Sequence, residues 1–268
     1  MNRAMYKNKP LSNEELNQIV PSAFATEPWV AQSDRYSFVP TSEIINAMRS
    51  AGFNPYSAMQ SRSRIPGKQF FTKHMIRFRP ENTNLTNIGD TVIEAVLVNS
   101  HDGTSQYELS LGAFRLACLN GMMVSEHVSD IVCVRHTGRI IDSVIQATND
   151  ILLSAPKVIE AIKTWKTIDL KPSEARILAE EAHSLRFDAD AVAPEPTRLL
   201  QIRRSSDNGT DLWSTFNRIQ ENTVRGGLKV YSNNRRSRTR SVTGIAENTK
   251  LNRALWSLAE KMAELKTN

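Results

Sequence analysis

Three extended segments in the middle of the chain constrain its fold most. Residues 54–65 and 69–79 are joined by the turn-forming pair Pro66-Gly67, and residues 91–99 are rich in β-branched side chains. The second segment alternates, with one face carrying Phe71, Lys73, Met75, Arg77 and Arg79 and the other carrying Phe70, Thr72, His74, Ile76 and Phe78. We therefore predict an antiparallel meander whose apolar face, with Phe70 and Phe78, lies in the core. The cationic face is expected to be exposed to solvent.

Helical patterns surround the predicted meander. Residues 107–123 are expected to turn helical towards their end, on the spacing of Leu111, Phe114, Arg115, Cys118 and Leu119. Ser12 and Glu15 form a capping-box pair that predicts an earlier helix. These patterns indicate the α+β class, with an antiparallel β-meander, or β-β-β-α core, packed by helices and followed by a mainly helical C-terminal half.

The C-terminal half contains a predicted helix that begins at Thr210 as its cap and ends at Gly226-Gly227. Trp213 and Phe216 are expected on the buried side of this helix. Residues 231–250 show no regular pattern, and an apolar stripe from Leu251 to Leu265 predicts a final helix.

The composition along the chain suggests five regions. They are an N-terminal helical arm (1–35), the β-β-β-α core (36–137), a helical layer (138–187), a linker or extended arm (188–209) and a basic helical C-terminal region (210–268).

Positive charge is concentrated in two stretches. Residues 62–79 contain six basic residues and no acid, and residues 198–240 contain ten basic residues against three acids. These stretches therefore carry +6 and +7, whereas the whole chain carries only +6. Lysine and arginine release counterions from phosphates, and neighbouring aromatic rings stack on unpaired bases. The pattern is typical of a protein that binds single-stranded nucleic acid. The alternative interpretation is a solvated surface that aids solubility.

The candidate ligands of nucleic acid share a cationic or stacking side chain within these stretches. They are Arg62, Arg64, Lys68, Phe71, Lys73, Arg77, Arg79, Arg225, Lys229, Tyr231, Arg235, Arg236, Arg238 and Arg240. No recognition helix or zinc finger pattern accompanies them, so we expect contacts to the backbone and to unpaired bases with little sequence preference.

Catalytic motifs are absent from the sequence. It contains no GxSxG, Walker, GxGxxG or HExxH pattern, and its histidines show no metal-ligand spacing. His101 and Asp102 have the composition of a tight turn, which we favour over an acid–base pair. We therefore expect no cofactor, no metal and no enzymatic activity. No apolar run is long enough to cross a bilayer and no signal peptide is visible, so we expect a cytoplasmic protein that does not bind membranes.

Three motifs carry a family resemblance: NSHDGTSQYELSLGAFRLACLNGM, DLWSTFNRIQENTVRGG and LNRALWSLAE. Through them the chain resembles, from about Tyr36 to Leu258, the phage- and plasmid-associated proteins grouped as "domain of unknown function 932". The resemblance implies an origin in a mobile element and transfers no catalytic residue. The element order of the predicted core is also similar to that of Rad52-like single-strand annealing proteins, which is an analogy of fold alone.

These observations favour a single-stranded DNA binding protein that anneals strands without ATP in phage or plasmid recombination. Its expected partners are single-stranded DNA, a phage exonuclease or a host single-strand binding protein, and further copies of itself in a ring or filament. Two alternatives stay open. One is a host-takeover or anti-defence protein that acts through protein–protein contacts, and the other is a nucleic-acid enzyme with an unrecognised site.

Overall fold

The computed structural model describes residues 5–6, 9–30, 38–81, 87–88, 91–115, 121–123, 132–134, 140–188, 190–232 and 235–267. The chain divides into two compact units. The first comprises Met1–Gly121 with Val128–Pro156, and the second comprises Met122–His127 with Lys157–Asn268. Within the described ranges, none of the helices combines the length and the apolar character needed to cross a bilayer.

The first unit is built on an antiparallel sheet. Its strands are β1 (Met5–Tyr6), β2 (Phe53–Gln60), β3 (His74–Pro80), β4 (Asn87–Ile88), β5 (Thr91–Asn99) and β6 (Tyr107–Arg115), followed by β7 (Gly121–Met123) at the unit boundary and β8 (Val132–Val134). They lie in the order β1-β2-β3-β5-β6, with β4 beside β5 and β8 beside β6. The predicted meander is therefore confirmed, and so is the α+β class.

Helices cover one face of this sheet. They are α1 (Asn13–Ile19), a 3-10 turn at Pro21–Phe24, α2 (Thr41–Ser50) and α3 (Ile140–Leu152). Ser12 and Glu15 form the predicted capping box of α1. Ile76 and Phe78 of β3 pack into a core shared with α2 and α3, and both side chains are completely buried. Phe78 therefore lies where the sequence predicts.

The helix predicted near residues 111–119 is wrong for the part that the structure describes. Tyr107–Arg115 forms strand β6, which pairs with β5 from Thr91↔Arg115 to Val98↔Glu108. The backbone hydrogen bonds of this long antiparallel ladder outweigh the helical spacing of the apolar side chains. Cys118 and Leu119 lie outside the described residues.

The second unit is mainly helical. Its elements are α4 (Ala155–Trp165, which begins at the unit boundary), α5 (Pro172–Ser184), α6 (Leu212–Arg225), β9 (Lys229–Ser232), β10 (Arg235–Arg238) and α7 (Ile245–Thr267). Trp165 packs with its ring centroid 5.5 Å from that of Phe216 and 4.7 Å from that of Trp256. Trp213 and Phe216 are buried, as the sequence predicts. Aromatic side chains thus form the centre of this unit.

Two sequence predictions in this unit are corrected. Asp211, and not Thr210, caps α6, because its carboxylate accepts a hydrogen bond from the Ser214 amide at 2.9 Å. Residues 231–250 were predicted to be irregular, but the end of β9, strand β10 and the first turns of α7 lie in this range. Residues 188–209, predicted to be a linker or extended arm, contain 3-10 turns at Pro196–Leu200 and Ser205–Asp207.

Candidate nucleic-acid interface

The β9–β10 hairpin of the second unit presents a basic face with an aromatic ring on it. The register places Lys229 opposite Arg238 and Tyr231 opposite Arg236. Because directly opposed residues and residues two apart lie on the same side of an antiparallel pair, these four side chains share one face. All four are exposed, and Tyr231 exposes 60% of its surface. We call Lys229, Tyr231, Arg236 and Arg238 the hairpin face.

The hairpin face carries positive charge that no carboxylate neutralises within the described part of the chain. No acid occurs in the sequence between Glu221 and Glu247. Arg236 lies over the ring of Tyr231, with its guanidinium carbon 5.8 Å from the ring centroid, and Arg238 donates to the carbonyl of Gly227 at 3.2 Å. Neither contact removes charge, so the face stays attractive to phosphates.

The hairpin is fixed firmly to its unit. Val230 points to the opposite side of β9 from the hairpin face and is buried. Gly226 and Gly227 both have positive φ, and the Gly227 amide donates to the Thr239 carbonyl at 2.8 Å. A Cβ at Gly226 would lie 2.5 Å from the carbonyl oxygen of Arg240, so glycine is required where the chain leaves α6.

The other candidate residues of the second basic stretch differ in their exposure and in their ion pairing. Arg225 pairs with Glu221 at 3.0 Å and exposes 57% of its side chain. Arg240 is exposed, and its carbonyl accepts a hydrogen bond from Arg186. The backbone of Arg235 lies in β10, and its side chain lies outside what the structure describes.

In the first unit, the loop before β3 carries the remaining free cations. Arg62 and Arg64 are exposed and Lys73 is half-buried, and none of these three pairs with a carboxylate among the described residues. Lys68 pairs with Asp102 at 3.2 Å. Burial opposes ionisation of Asp102, yet hydrogen bonds from Thr104 and then from Lys68 hold its pKa below the usual value. Lys68 is therefore partly neutralised, and the loop retains three unpaired cations.

The aromatic residues of this loop do not lie where the sequence predicts. Phe70 was expected in the core and is instead 49% exposed, because residues 68–70 form a 3-10 turn before the strand begins. Phe71, the predicted stacking residue, is half-buried and packs on Trp29 with ring centroids 5.2 Å apart. Phe70 is thus the more accessible ring, together with the exposed Ile65.

The prediction of an exposed cationic face on β3 is wrong for Arg77 and Arg79. Both arginines are buried, and both donate to the carboxylate of Glu94 on β5. Arg79 also lies 4.4 Å from the ring centroid of Tyr56. Alternation correctly places the two arginines on one face. It does not reveal that this face is covered, or that the adjacent strand supplies an acid.

Sequence analysis did not predict the buried polar cluster that lies near the loop before β3. His74, Thr41, Asn99 and His101 are all completely buried, and the Thr41 hydroxyl lies 3.0–3.1 Å from polar atoms of the other three. Burial lowers the pKa of His74 to about 4, so this side chain is neutral near pH 7. The alternation in β3 places His74 on the apolar face with Ile76 and Phe78, and this pattern could have indicated that His74 is buried.

The His101-Asp102 pair forms a turn, as the sequence predicts. Asp102 accepts hydrogen bonds from the amide and the hydroxyl of Thr104 at 3.2 and 2.6 Å. The backbone of His101 donates to Phe71 and accepts from Trp29, which ties the turn to the loop before β3. Among the residues that the structure describes, no group of three His, Cys, Asp or Glu side chains is placed to hold a metal ion.

Comparison with known proteins identifies relatives that are named without an activity. The model of the family described as "Domain of unknown function (DUF932)" matches residues 30–256. The chain is 38% identical over 257 residues to UPF0380 protein YafZ of Escherichia coli (strain K12), an alignment that covers 96% of this chain and 93% of YafZ. UPF0380 protein YfjQ of the same strain is equally similar, with the same coverage. No solved structure matches, so the analogy to Rad52-like proteins is unsupported.

Proposed function

Because the chain belongs to the DUF932 family, whose name assigns no activity, we propose its function from its own surfaces: it binds single-stranded DNA and anneals complementary strands without ATP. The hairpin face is the observation that carries the proposal. It combines three exposed cations, none paired with a carboxylate among the described residues, with an exposed tyrosine on one two-stranded surface.

The chemistry of the hairpin face suits an unpaired strand. Lys229, Arg236 and Arg238 neutralise successive phosphates, and the ring of Tyr231 stacks on a base that a duplex would keep inside its own stack. Stacking and phosphate contacts read no base edges, so binding is largely independent of sequence. The base edges then stay free to pair with a complementary strand, which is what annealing requires.

The loop before β3 supports the proposal from the first unit. Arg62, Arg64 and Lys73 supply phosphate contacts, and the exposed ring of Phe70 takes the stacking role that the sequence assigned to Phe71. Arg77 and Arg79 have no part in this surface, since Glu94 already binds both of them in the interior.

In this proposal the protein acts in the cytoplasm during recombination of phage or plasmid DNA. Further copies of the chain extend along a long strand as a ring or filament, and a phage exonuclease or host single-strand binding protein supplies or hands over that strand. None of these steps requires a nucleotide site.

Fluorescence anisotropy with single-stranded and double-stranded oligonucleotides of one sequence tests the proposal. We expect tighter binding of the single strand, followed by faster pairing of complementary strands when no nucleotide is present. The double variant Arg236→Glu/Arg238→Glu should weaken binding of every sequence by at least about tenfold, since phosphate contacts are lost regardless of sequence.

The matched control reverses charge away from the hairpin face. Arg176 and Lys163 are exposed helix residues of the same unit, each paired with a glutamate three or four residues away, so Arg176→Glu/Lys163→Glu changes net charge equally. This control should bind as the unaltered protein does. Equal loss in both double variants, or an affinity that does not respond to salt, would overturn the proposal. Tight binding of an acidic protein without binding of oligonucleotides would favour the host-takeover alternative.

A further inference from the structure

Three arginines of the second unit surround a single buried glutamate beside the hairpin. Arg204 binds both carboxylate oxygens of Glu221, with its Nε 3.0 Å from Oε2 and its Nη2 2.9 Å from Oε1. Arg225, one turn further along α6, donates through Nη1 to Oε1 at 3.0 Å. Both oxygens of the only carboxylate in this group are therefore occupied.

Arg203 is the third arginine of the group, and its acceptors among the described residues are neutral oxygens. Its Nε donates to the Asn222 side-chain oxygen at 2.5 Å, and its Nη2 donates to the Gly226 carbonyl. The buried Asn222 in turn donates to the carbonyls of Leu199 and Gln201, which fixes the backbone just before Arg203. Arg203 is thus held in place by its neighbours before any ligand arrives.

The group carries more positive charge than it neutralises. Arg204 and Glu221 form one ion pair, and the guanidiniums of Arg203 and Arg225 add two positive charges beside it; both of these side chains are exposed. Burial lowers the pKa of Arg203, Glu221 raises it, and the nearby charges of Arg225 and Arg204 lower it further, so the arginines lie close enough to repel one another. Arg203 Nη1 and Arg225 Nε and Nη2 have no acceptor in the part of the chain described. The cluster is therefore prepared for an anion.

We propose that Arg203 and Arg225, beside the Arg204–Glu221 pair, bind the phosphomonoester at the end of the DNA strand whose body lies on the hairpin face, an inference that depends on the proposed function. An internal phosphodiester carries one negative charge, whereas a terminal phosphomonoester carries nearly two near pH 7, which matches the two uncompensated positive charges. Arginine forks also suit the three free oxygens of a terminal phosphate.

The position of the cluster fits this role. Arg203 donates to the carbonyl of Gly226 and Arg238 of the hairpin face donates to that of Gly227, so neighbouring peptide groups join the two sites. A strand on the hairpin face whose end lies on the Gly226-Gly227 side therefore reaches the cluster. Strands shortened by a nuclease carry such phosphates, and recognition of the end positions the protein at the start of the exposed strand.

Binding of three oligonucleotides that share one sequence tests the inference. One carries a 5′-phosphate, one a 3′-phosphate, and one hydroxyl groups at both ends. We expect one phosphorylated form to bind about tenfold more tightly than the hydroxyl form, the size of one additional charge-assisted contact. Arg203→Gln/Arg225→Gln should abolish this preference, so that all three oligonucleotides bind the variant with equal affinity.

Arg176→Gln is the control, because it removes an exposed helix arginine that pairs with Glu180. It should keep the full preference. Arg225→Gln alone, at a side chain that is more than half exposed, should reduce the preference even if the double variant fails to fold. Equal affinities for all three oligonucleotides, or a preference that survives both variants, would overturn the inference and leave the proposed function standing. Failure of every oligonucleotide to bind would overturn both.

Discussion

His74 lies in the core of the first unit, where burial lowers its pKa and keeps the ring neutral near pH 7, with one proton. Gln60 donates through its side-chain nitrogen to the Gln69 carbonyl, so its side-chain oxygen must accept from the Ser22 hydroxyl at 2.8 Å. The only proton of that hydroxyl is then used. Ser22 Oγ, 2.9 Å from His74 Nδ1, therefore accepts a hydrogen bond from the ring.

Because the ring is neutral, the other ring nitrogen of His74 accepts. It lies 3.1 Å from the Thr41 hydroxyl, which donates its single proton to it. Thr41 in turn accepts from the side-chain nitrogen of Asn99 and from His101 Nε2. A second proton on His74 would have no acceptor in this arrangement, which agrees with a pKa lowered by burial.

Stability should therefore fall as the solution becomes acidic. The pKa of His74 is about 4 in the folded chain against 6.5 as the ordinary value, so the unfolded state binds more protons between these limits. We expect His74 to lower the free energy of unfolding by about 2 kcal/mol at pH 5 relative to pH 8. Urea denaturation at both pH values, followed by circular dichroism, measures the difference.

His74→Gln provides the comparison for that measurement. The amide does not titrate, so the variant should be less stable at pH 8 and should lose less stability on acidification. Identical pH dependence in the variant and the unaltered chain would show that His74 is not the group responsible.

Single elements show where sequence reasoning succeeds and where it fails. Patterns that depend on neighbouring residues are confirmed, including the capping box at Ser12 and Glu15 and the end of α6 at Gly226. The alternation in β3 also correctly groups the residues of each face. Local patterns suffice here because the interactions that they encode lie within one element.

The predictions that fail depend on contacts between elements. Strand β6 forms because β5 lies beside it, and Arg77 is neutralised by Glu94, seventeen residues away in the chain. The β9–β10 hairpin is short and arginine-rich, and only pairing across its strands reveals that Tyr231 and Arg236 share a face. The sequence therefore located the basic segments of the candidate site but not the geometry of its face.

On the hairpin face, Tyr231 supplies stacking and the three cations supply charge, so each contribution can be removed by a different substitution. Tyr231→Ala should weaken binding of single-stranded DNA by about 1–3 kcal/mol, because a stacking platform is lost. The dependence of affinity on salt should not change, since no cation is removed. Anisotropy titrations at several salt concentrations measure both quantities.

Tyr231→Phe is the matched control for this substitution. It keeps the ring and removes the hydroxyl, so it should bind nearly as the unaltered protein does. An equal loss in the Phe and Ala variants would assign the contribution of Tyr231 to its hydroxyl and contradict stacking.

Across the whole molecule, folding brings carboxylates to some of the cations in each basic stretch and so neutralises part of the positive charge. In the first basic stretch Arg77 and Arg79 bind Glu94, and Lys68 binds Asp102. In the second, Arg204 and Arg225 share Glu221. The loop before β3 keeps Arg62, Arg64 and Lys73, and the hairpin face keeps Lys229, Arg236 and Arg238; none of these six pairs with a carboxylate among the described residues.

The number of these cations predicts how binding responds to salt. For single strands, the logarithm of affinity falls with the logarithm of salt concentration by about 0.7 for each phosphate neutralised. If the loop before β3 and the hairpin face both bind phosphates, all six cations contribute and the slope should be about −4. If it contacts the hairpin face alone, only three contribute and the slope should be about −2.

We expect the steeper slope, because the loop before β3 is proposed to bind phosphates as the hairpin face does. Arg62→Gln/Arg64→Gln should then reduce its magnitude by about 1.4, because two phosphate contacts are lost from the first unit. Arg176→Gln/Lys163→Gln removes the same charge from exposed helix positions that already pair with glutamates, and should leave the slope unchanged. A slope near −2 that the Arg62→Gln/Arg64→Gln variant does not alter would confine the strand to the second unit. Phosphate contacts in the loop before β3 would then be contradicted, whereas those on the hairpin face would stand.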